Sequence, residues 1–393
     1  MTRLPAAPWT TRTDLAALVD ALGAELRWVG GAVRDTLLDL PVKDVDAATP
    51  LLPDVVMERL AAAGIRVVPT GIDHGTITAV LPDGPVEITT LRRDVATDGR
   101  RATIAFARDW REDAARRDFT INALFADPRT LEISDYFDGL PDLAARRVRF
   151  IGDPAQRIRE DHLRILRYYR FQARFGAELD PAAEAACAEL APTLKGLSRE
   201  RVAMELLNLL ALPDPAATLG RMDAAGVLPI ALPERSPQGL ALLRVLIGWE
   251  QAHAVAPDPL RRLAALLPAD PRLAEQAAAR LRLSTAQRKR LALAAARRPE
   301  DGSDPRALAY RLGRAEALDR LALTDGDPSS LAGWDVPSFP LKGGAIIARG
   351  VSAGPEVARL LRRVEDRWVA RQFPGPVETT ALLDTVLEEE RDL

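Results

Sequence analysis

Cysteine is nearly absent: Cys187 is the only one in 393 residues, which excludes an internal disulfide framework and a cysteine-rich zinc site. Histidine is almost as scarce, and His74, His162 and His253 are too scattered for a histidine metal centre. No run of about 18 uncharged apolar residues occurs, so neither a membrane-spanning helix nor a membrane partner is expected. The stretch MTRLPAAPWTTRTDL lacks an apolar segment of the secretory kind, and a cytoplasmic protein is expected. Lysine is rare too. Lys43, Lys195, Lys289 and Lys342 are the only lysines among 53 basic residues, the rest being arginine. Against 56 acidic residues this leaves a formal net charge of −3, a whole-chain average inside which a local basic face can hide. The hydrophobic share of 47% and charged share of 28% are those of an ordinary globular chain, long enough for two to four domains or sub-domains.

The first part of the chain mixes short strands and helices. LRWVGG, DVDAAT, IRVVPT, GTITAVL and PVEITT are rich in Val, Ile and Thr and bounded by Gly, Pro or Asp, as strands are. AVRDTLLD and DVVMERLAAAG fit helices, the second ending at Gly64. From about Leu140 onward strand signals vanish and helical ones follow one another, with a break at Asp325–Gly344. The expected fold class is α+β: a small mixed-sheet head over 1–140, then a helical neck over 141–210, body over 211–330 and tail over 331–393. The last residues, TTALLDTVLEEERDL, look like a solvated terminal helix.

The chemistry concentrates in GGAVRDTLLDLPVKDVDAAT, Gly30 to Thr49. Alternate residues of a strand face opposite sides, so Asp44 and Asp46 point the same way while Val45 enters the core. Two carboxylates side by side repel unless a cation sits between them, and hard oxygen ligands suit Mg²⁺. In VEIT, burial of Val86 and Ile88 puts Glu87 on the opposite face. If that strand lies beside the first, Glu87 is a third carboxylate, and the set could hold two Mg²⁺ for in-line displacement at phosphorus. Gly30 and Gly31 let backbone approach a phosphate, the following helix end supplies N–H donors, and Arg34 can reach the same group.

This order of glycines, D-x-D and a later acidic strand resembles the nucleotidyltransferase superfamily of polymerase β type. ARRDFTINAL, YFDGLPDL, RIREDHLRILRYYRF and LSRERVAMEL follow in sequence, and with them residues 26 to 210 resemble the class II tRNA nucleotidyltransferase and bacterial poly(A) polymerase family. The resemblance implies template-independent addition of C, C and A to the 3′ end of tRNA from CTP and ATP. Rival readings are a poly(A) polymerase, a CC-only or A-only enzyme of the same family, or a non-catalytic RNA-binding protein. GIDHGTITAV stands where the poly(A) enzymes usually carry a basic segment, and no HD-type hydrolase signature follows.

On a helical wheel Arg164, Arg167, Arg170 and Arg174 share one side, and Asp161 is one turn before Arg164, an i,i+3 ion pair on the face of it. A carboxylate accepts hydrogen bonds and a guanidinium only donates. Side by side they match the amine and bare ring nitrogen of cytosine or adenine, and mismatch uracil and guanine. The resemblance gives Asp161 and Arg164 the same base-selecting role, and implies nucleotide contacts for Arg167, Arg170 and Arg117. It also implies that Asp118 and Asn122 shape the pocket, that residues 94–110 form a flexible loop, and that Gly139 lies at a hinge, where it could supply unusual dihedrals. Arg116 is expected to be satisfied locally. Ser198 fits an N-cap, and Arg201–Glu205 an i,i+4 pair bracing the neck. Lys342, the glycine turn beside it and the helix opened by Gly354-Pro355 are a candidate grip on RNA phosphates. His74 is expected in a turn and Cys187 buried. The sequence does not set the oligomeric state.

Overall fold

Nine short strands among the described residues carry the mixed part of the molecule. The computed structural model describes residues 2–98 and 101–391. The strands are β1 (Arg27–Val29), β2 (Val45–Thr49), β3 (Arg66–Gly71), β4 (Thr76–Val80), β5 (Val86–Thr90), β6 (Arg92–Asp98), β7 (Arg101–Phe106), β8 (Leu124–Ala126) and β9 (Ile133–Asp135). Seven of them form one sheet in the order β3-β4-β5-β2-β1-β8-β9, in which only β2 and β5 run parallel.

The alternation of side chains decides what each face does. Val45, Ala47, Val86, Ile88, Ile77 and Ala79 are all buried, and helix Pro53–Ala62 lies across β3 and β4, burying Val56 and Leu60. Trp28 on β1 meets Trp9 edge-on, with ring centroids 5.7 Å apart. The opposite face is apolar around Val29 and Phe125, where it packs with Leu91, Ala114 and Ile151. Further along, at Asp46 and Glu87, the same face is polar.

Residues 94–110, expected as a flexible loop, are largely regular. β6 and β7 pair antiparallel as a separate two-stranded sheet, and Gly99 and Arg100 lie outside the described residues. The FDGLPDL turn corrects another expectation. Gly139 does not carry the unusual dihedrals; Asp138 does, at φ 60°. Glycine is required at 139 by space, since a Cβ there would lie 2.4 Å from the Thr120 carbonyl oxygen.

The chain divides into two compact units, Met1–Pro233 and Glu234–Leu393. In the first, the sheet is followed by helices Pro154–Glu160, Arg164–Phe175, Pro181–Leu190 and Arg199–Leu210. The expected continuous helix through EDHLRILRYYRF is interrupted: Asp161 is extended at φ −149° and ψ 104°, so it ends one helix before the next begins. Ser198 caps the Arg199–Leu210 helix as expected, accepting from Arg201 N. Phe119, Phe150, Tyr168 and Phe171 make a ring cluster that anchors the Arg164–Phe175 helix beneath the sheet-bearing part. Cys187 is buried.

The second unit is built of helices, apart from an irregular stretch over 324–342 where the break was expected. Its centre holds a buried ionic cluster in which Glu250 accepts from Arg261 and Arg262 and Asp319 from Arg261 and Arg290. The terminal helix, expected to be solvated, is not. Pro376–Arg391 buries Leu382, Leu383, Val386 and Leu387 against Leu360, Val364 and Trp368 of Pro355–Ala370. Its Glu389 and Glu390 pair with Arg359, Arg363 and Arg367, so those arginines already have partners. Gly343 and Gly344 open a five-residue helix instead of a turn. Among the described residues no helix is long and apolar enough to cross a membrane.

Candidate active site

The two acidic strands lie side by side. β2 pairs parallel with β5, and Asp46 stands in register with Glu87. Asp44 is exposed just before β2, and Asp46 is half-buried. Among the described residues none of these three carboxylates has a hydrogen-bond or ion-pair partner. Burial, then the charges of Glu87 and Asp44, push the Asp46 carboxyl up to about 6, against some relief from Arg117. A dication beside it removes the repulsion. Among the described residues no three Asp, Glu, His or Cys side chains close on one point. Carboxylate oxygens here, with water and phosphate oxygens completing the shell, are hard donors that fit a divalent cation such as Mg²⁺.

Asp46 also lines a cleft of about 370 Å³. Its backbone wall is Gly30 and Gly31, at the turn from β1 into helix Gly31–Leu37. Gly30 sits at φ 68°, which only glycine adopts at little cost; at 31 a Cβ would make only ordinary contact within the chain. The rest of the wall is basic: Arg34, Arg116, Arg117, Arg164 and Arg167, with Asp118, Asn122, Asp161 and Phe171 between them.

Most of these arginines are fixed by carboxylates, and the expected partners were wrong in two places. Asp161 does not pair with Arg164. It accepts from Arg201 Nη2 at 2.7 Å, while Arg164 Nη1 donates to Glu160 Oε2 at 2.6 Å. Arg201 consequently does not pair with Glu205, which instead accepts from Arg170 Nε at 2.6 Å. The helix is broken at Asp161, which is extended, and its carboxylate reaches Arg201 of Arg199–Leu210 while still lining the cleft.

Arg167 donates Nε and Nη2 to Asp118 Oδ2, at 2.8 and 2.5 Å. Burial pushes the Asp118 carboxyl up, but Arg167 together with Asn122 and Phe119 N outweighs it, leaving the group below its ordinary value. Arg117 is held by Asp113 at 2.9 Å, as is Arg116 at 3.2 Å. Arg34 is 5% exposed, bonded to Asp35 and Asn122 and stacked 4.4 Å over the Phe175 ring. Arg174 grips the other oxygen of Asp35 at 3.1 Å. Arg157 Nη2 donates to the carbonyls of Arg116 and Arg117, tying helix Pro154–Glu160 to the ARRDF segment.

Of the residues singled out from the sequence, Gly30, Gly31, Arg34, Asp46, Arg117, Asp161, Arg164 and Arg167 meet at the cleft. Asp44 and Glu87 flank Asp46 without lining it. Arg170 is turned to Glu205 and lies outside the lining. Phe171 was missed: it broke the polar face of the wheel, and it supports Arg170 at 4.7 Å and Arg34 at 5.3 Å. An aromatic inside an arginine row was the available signal. Arg116, expected to be satisfied locally, is so satisfied and also borders the cleft.

A family profile for the poly A polymerase head domain matches residues 26–149, and one for the probable RNA and SrmB-binding site of polymerase A matches residues 176–238. The chain is 34% identical over 381 residues to the mitochondrial CCA tRNA nucleotidyltransferase 1 of Danio rerio, covering 89% of this chain and 84% of the relative. It is 36% identical over 367 residues to the Homo sapiens protein of that name, covering 88% and 82%. Among solved structures, the Bacillus stearothermophilus CCA-adding enzyme in complex with CTP superposes with a TM-score of 0.79 at 26% identity, covering 99% of this chain and 100% of that one.

Proposed function

The chain belongs to the CCA tRNA nucleotidyltransferase family, and from that membership and the cleft beside Asp46 we propose how it completes tRNA. It is an enzyme that adds C, C and A without a template to the 3′ end of tRNA, consuming CTP and ATP and releasing pyrophosphate. The family depends on a divalent metal; in our reading it is Mg²⁺, held by Asp44 and Asp46 with Glu87 assisting. Bound there, it supplies Lewis-acid stabilisation of the α-phosphate and leaving pyrophosphate and lowers the pKa of the attacking 3′-hydroxyl.

The chain's own residues do the rest. The open backbone at Gly30 and Gly31 lets a triphosphate approach closely, and Arg34 and Arg117 bind it and orient its α-phosphorus toward Asp46. Asp161 accepts from the exocyclic amine of cytosine or adenine, and Arg164 donates to the adjacent ring nitrogen. Uracil and guanine present a carbonyl and a ring N–H instead, which set like groups against each residue. Arg167, braced by Asp118, faces the same cleft. We assign 1–140 to the catalytic head, 141–210 to the neck, 211–330 to the body and 331–393 to a tail that contacts tRNA.

The observation that supports this most is a single one: the only half-buried carboxylate of the acidic strands opens into a cleft lined by glycine backbone and five arginines. The test uses purified protein, Mg²⁺ and tRNA transcripts ending before C74, C75 and A76, incubated with each nucleotide and resolved at single-nucleotide resolution. All three should extend to CCA and stop, ignoring UTP and GTP. Arrest at CC or growth of a long A tail would assign one of the related activities instead.

A further inference from the structure

Asp161 and Arg164, three residues apart, have the spacing at which a carboxylate and a guanidinium ordinarily meet on one helix. Here each is taken by someone else. Asp161 Oδ2 accepts from Arg201 Nη2 at 2.7 Å and Oδ1 from Leu163 N at 3.1 Å. Arg164 Nη1 donates to Glu160 Oε2 at 2.6 Å and to the Arg157 carbonyl at 2.7 Å. Glu160 is paired with Arg157 as well. Asp161 and Arg164 line the cleft, and Arg201 and Glu160, which hold them, do not.

Were Asp161 and Arg164 to bind each other, the acceptor and the donors needed for a base edge would be spent internally. The cleft would then present a closed neutral pair with nothing to match an amine beside a ring nitrogen. We propose that Arg201 is a specificity-determining positioning residue: by holding Asp161, it keeps the base-reading pair apart and each member free toward the cleft. Glu160 does the same for Arg164. The proposal rests on the reading of Asp161 and Arg164 as the base-selecting groups.

Each group keeps capacity for a base. A carboxylate has about four lone-pair sites, and two on Asp161 are used. A guanidinium has five N–H donors, and Arg164 commits those of Nη1. Arg201 and Asp161 are each about one-third exposed, 32% and 28%, so the pair contributes little stability of its own. Its consequence is geometric, since it fixes which way the carboxylate points.

The experiment compares kcat/KM for CTP, ATP, UTP and GTP on a tRNA ending before C74, in wild type, R201Q, R201K, E160Q and D161A. R201Q should lower the CTP-over-UTP ratio at least tenfold, chiefly through a higher KM for CTP. R201K, which keeps the charge, should recover most of the ratio. E160Q releases Arg164 from the other side and should lower the same ratio; it decides the matter if R201Q proves unfolded by circular dichroism. If R201Q and E160Q slow all four nucleotides in proportion, leaving the ratio as in wild type, Arg201 is merely structural and the proposal falls. If D161A itself keeps the wild-type ratio, the base-reading assignment fails, and this proposal with it.

Discussion

Asp46 and Glu87 stand directly opposite each other on neighbouring parallel strands, with the side chains on the face that leads to the cleft. They are 41 positions apart in the sequence, and the helix and hairpin between them exist to return the chain alongside β2. Two unpartnered carboxylates in that relation are costly for the fold alone, because like charges on adjacent strands repel. The arrangement makes sense as a site for a cation and the phosphates it carries.

Replacing Asp46 with Asn should therefore reduce nucleotide incorporation by about a thousandfold, the equivalent of some 4 kcal/mol of transition-state stabilisation. Glu87→Gln should cost less, since Glu87 is exposed and flanks the cleft. Single-turnover incorporation of CTP measures both. Melting temperature should hold or rise in D46N, as removing a repelled charge relieves strain; a sharp fall would mean that Asp46 is structural.

The Asp118–Arg167 pair gives a pH-dependent prediction. Asp118 is held below its ordinary range in the folded protein. Its stabilising contribution is thus complete above the unfolded carboxylate value of about 4 and is lost as pH falls through the lower folded value. Arg167→Met leaves the carboxylate without its main counter-charge. At pH 7 the variant should be destabilised by about 2 kcal/mol, discounted from a fully buried pair because Arg167 is 32% exposed. The gap between variant and wild type should narrow below about pH 4 and close only as pH falls through the lower folded value. Urea unfolding across that range checks the sign.

Gly139→Ala should destabilise the first unit by about 2 kcal/mol, because the new methyl meets the Thr120 carbonyl, a backbone atom that cannot rotate away. Asp138→Gly, at the neighbouring positive-φ position, should change stability by less than about 1 kcal/mol. Opposite ranking of the two by thermal melting would return the unusual dihedral to Gly139.

In the second unit, Glu250→Gln should cost about 3 kcal/mol, since it leaves Arg261 and Arg262, 5% and 1% exposed, short of a shared counter-charge. Differential scanning calorimetry of the full chain should show the loss in the transition of that unit. A shift under 1 kcal/mol would mean that Asp319 and water compensate.

Local patterns made much of this legible. The β-branched runs marked five strands because alternation is a property of a few consecutive residues, and β8, a three-residue strand of LFA, was too short to carry that signal. The glycines, D-x-D and VEIT were readable because strand geometry fixes the direction of each side chain. The partners of charged groups were not readable in the same way. Helical spacing suggested Asp161 with Arg164 and Arg201 with Glu205, and both pairings were replaced by contacts across 40 and 35 positions, Asp161–Arg201 and Arg170–Glu205.

By itself, then, the sequence determined five of the strands, the helical remainder, the family and most of the residues that gather at the cleft. Each of these follows from periodicity or from motifs in fixed order. The tertiary structure alone decided which carboxylate holds which arginine. The interruption at Asp161 changes the direction of one side chain, and long-range packing of Arg199–Leu210 against Arg164–Phe175 brings competing charges within reach. Ion pairs are chosen by proximity in space, and a long flexible arginine takes the carboxylate that packing delivers to it, whatever its spacing along the chain.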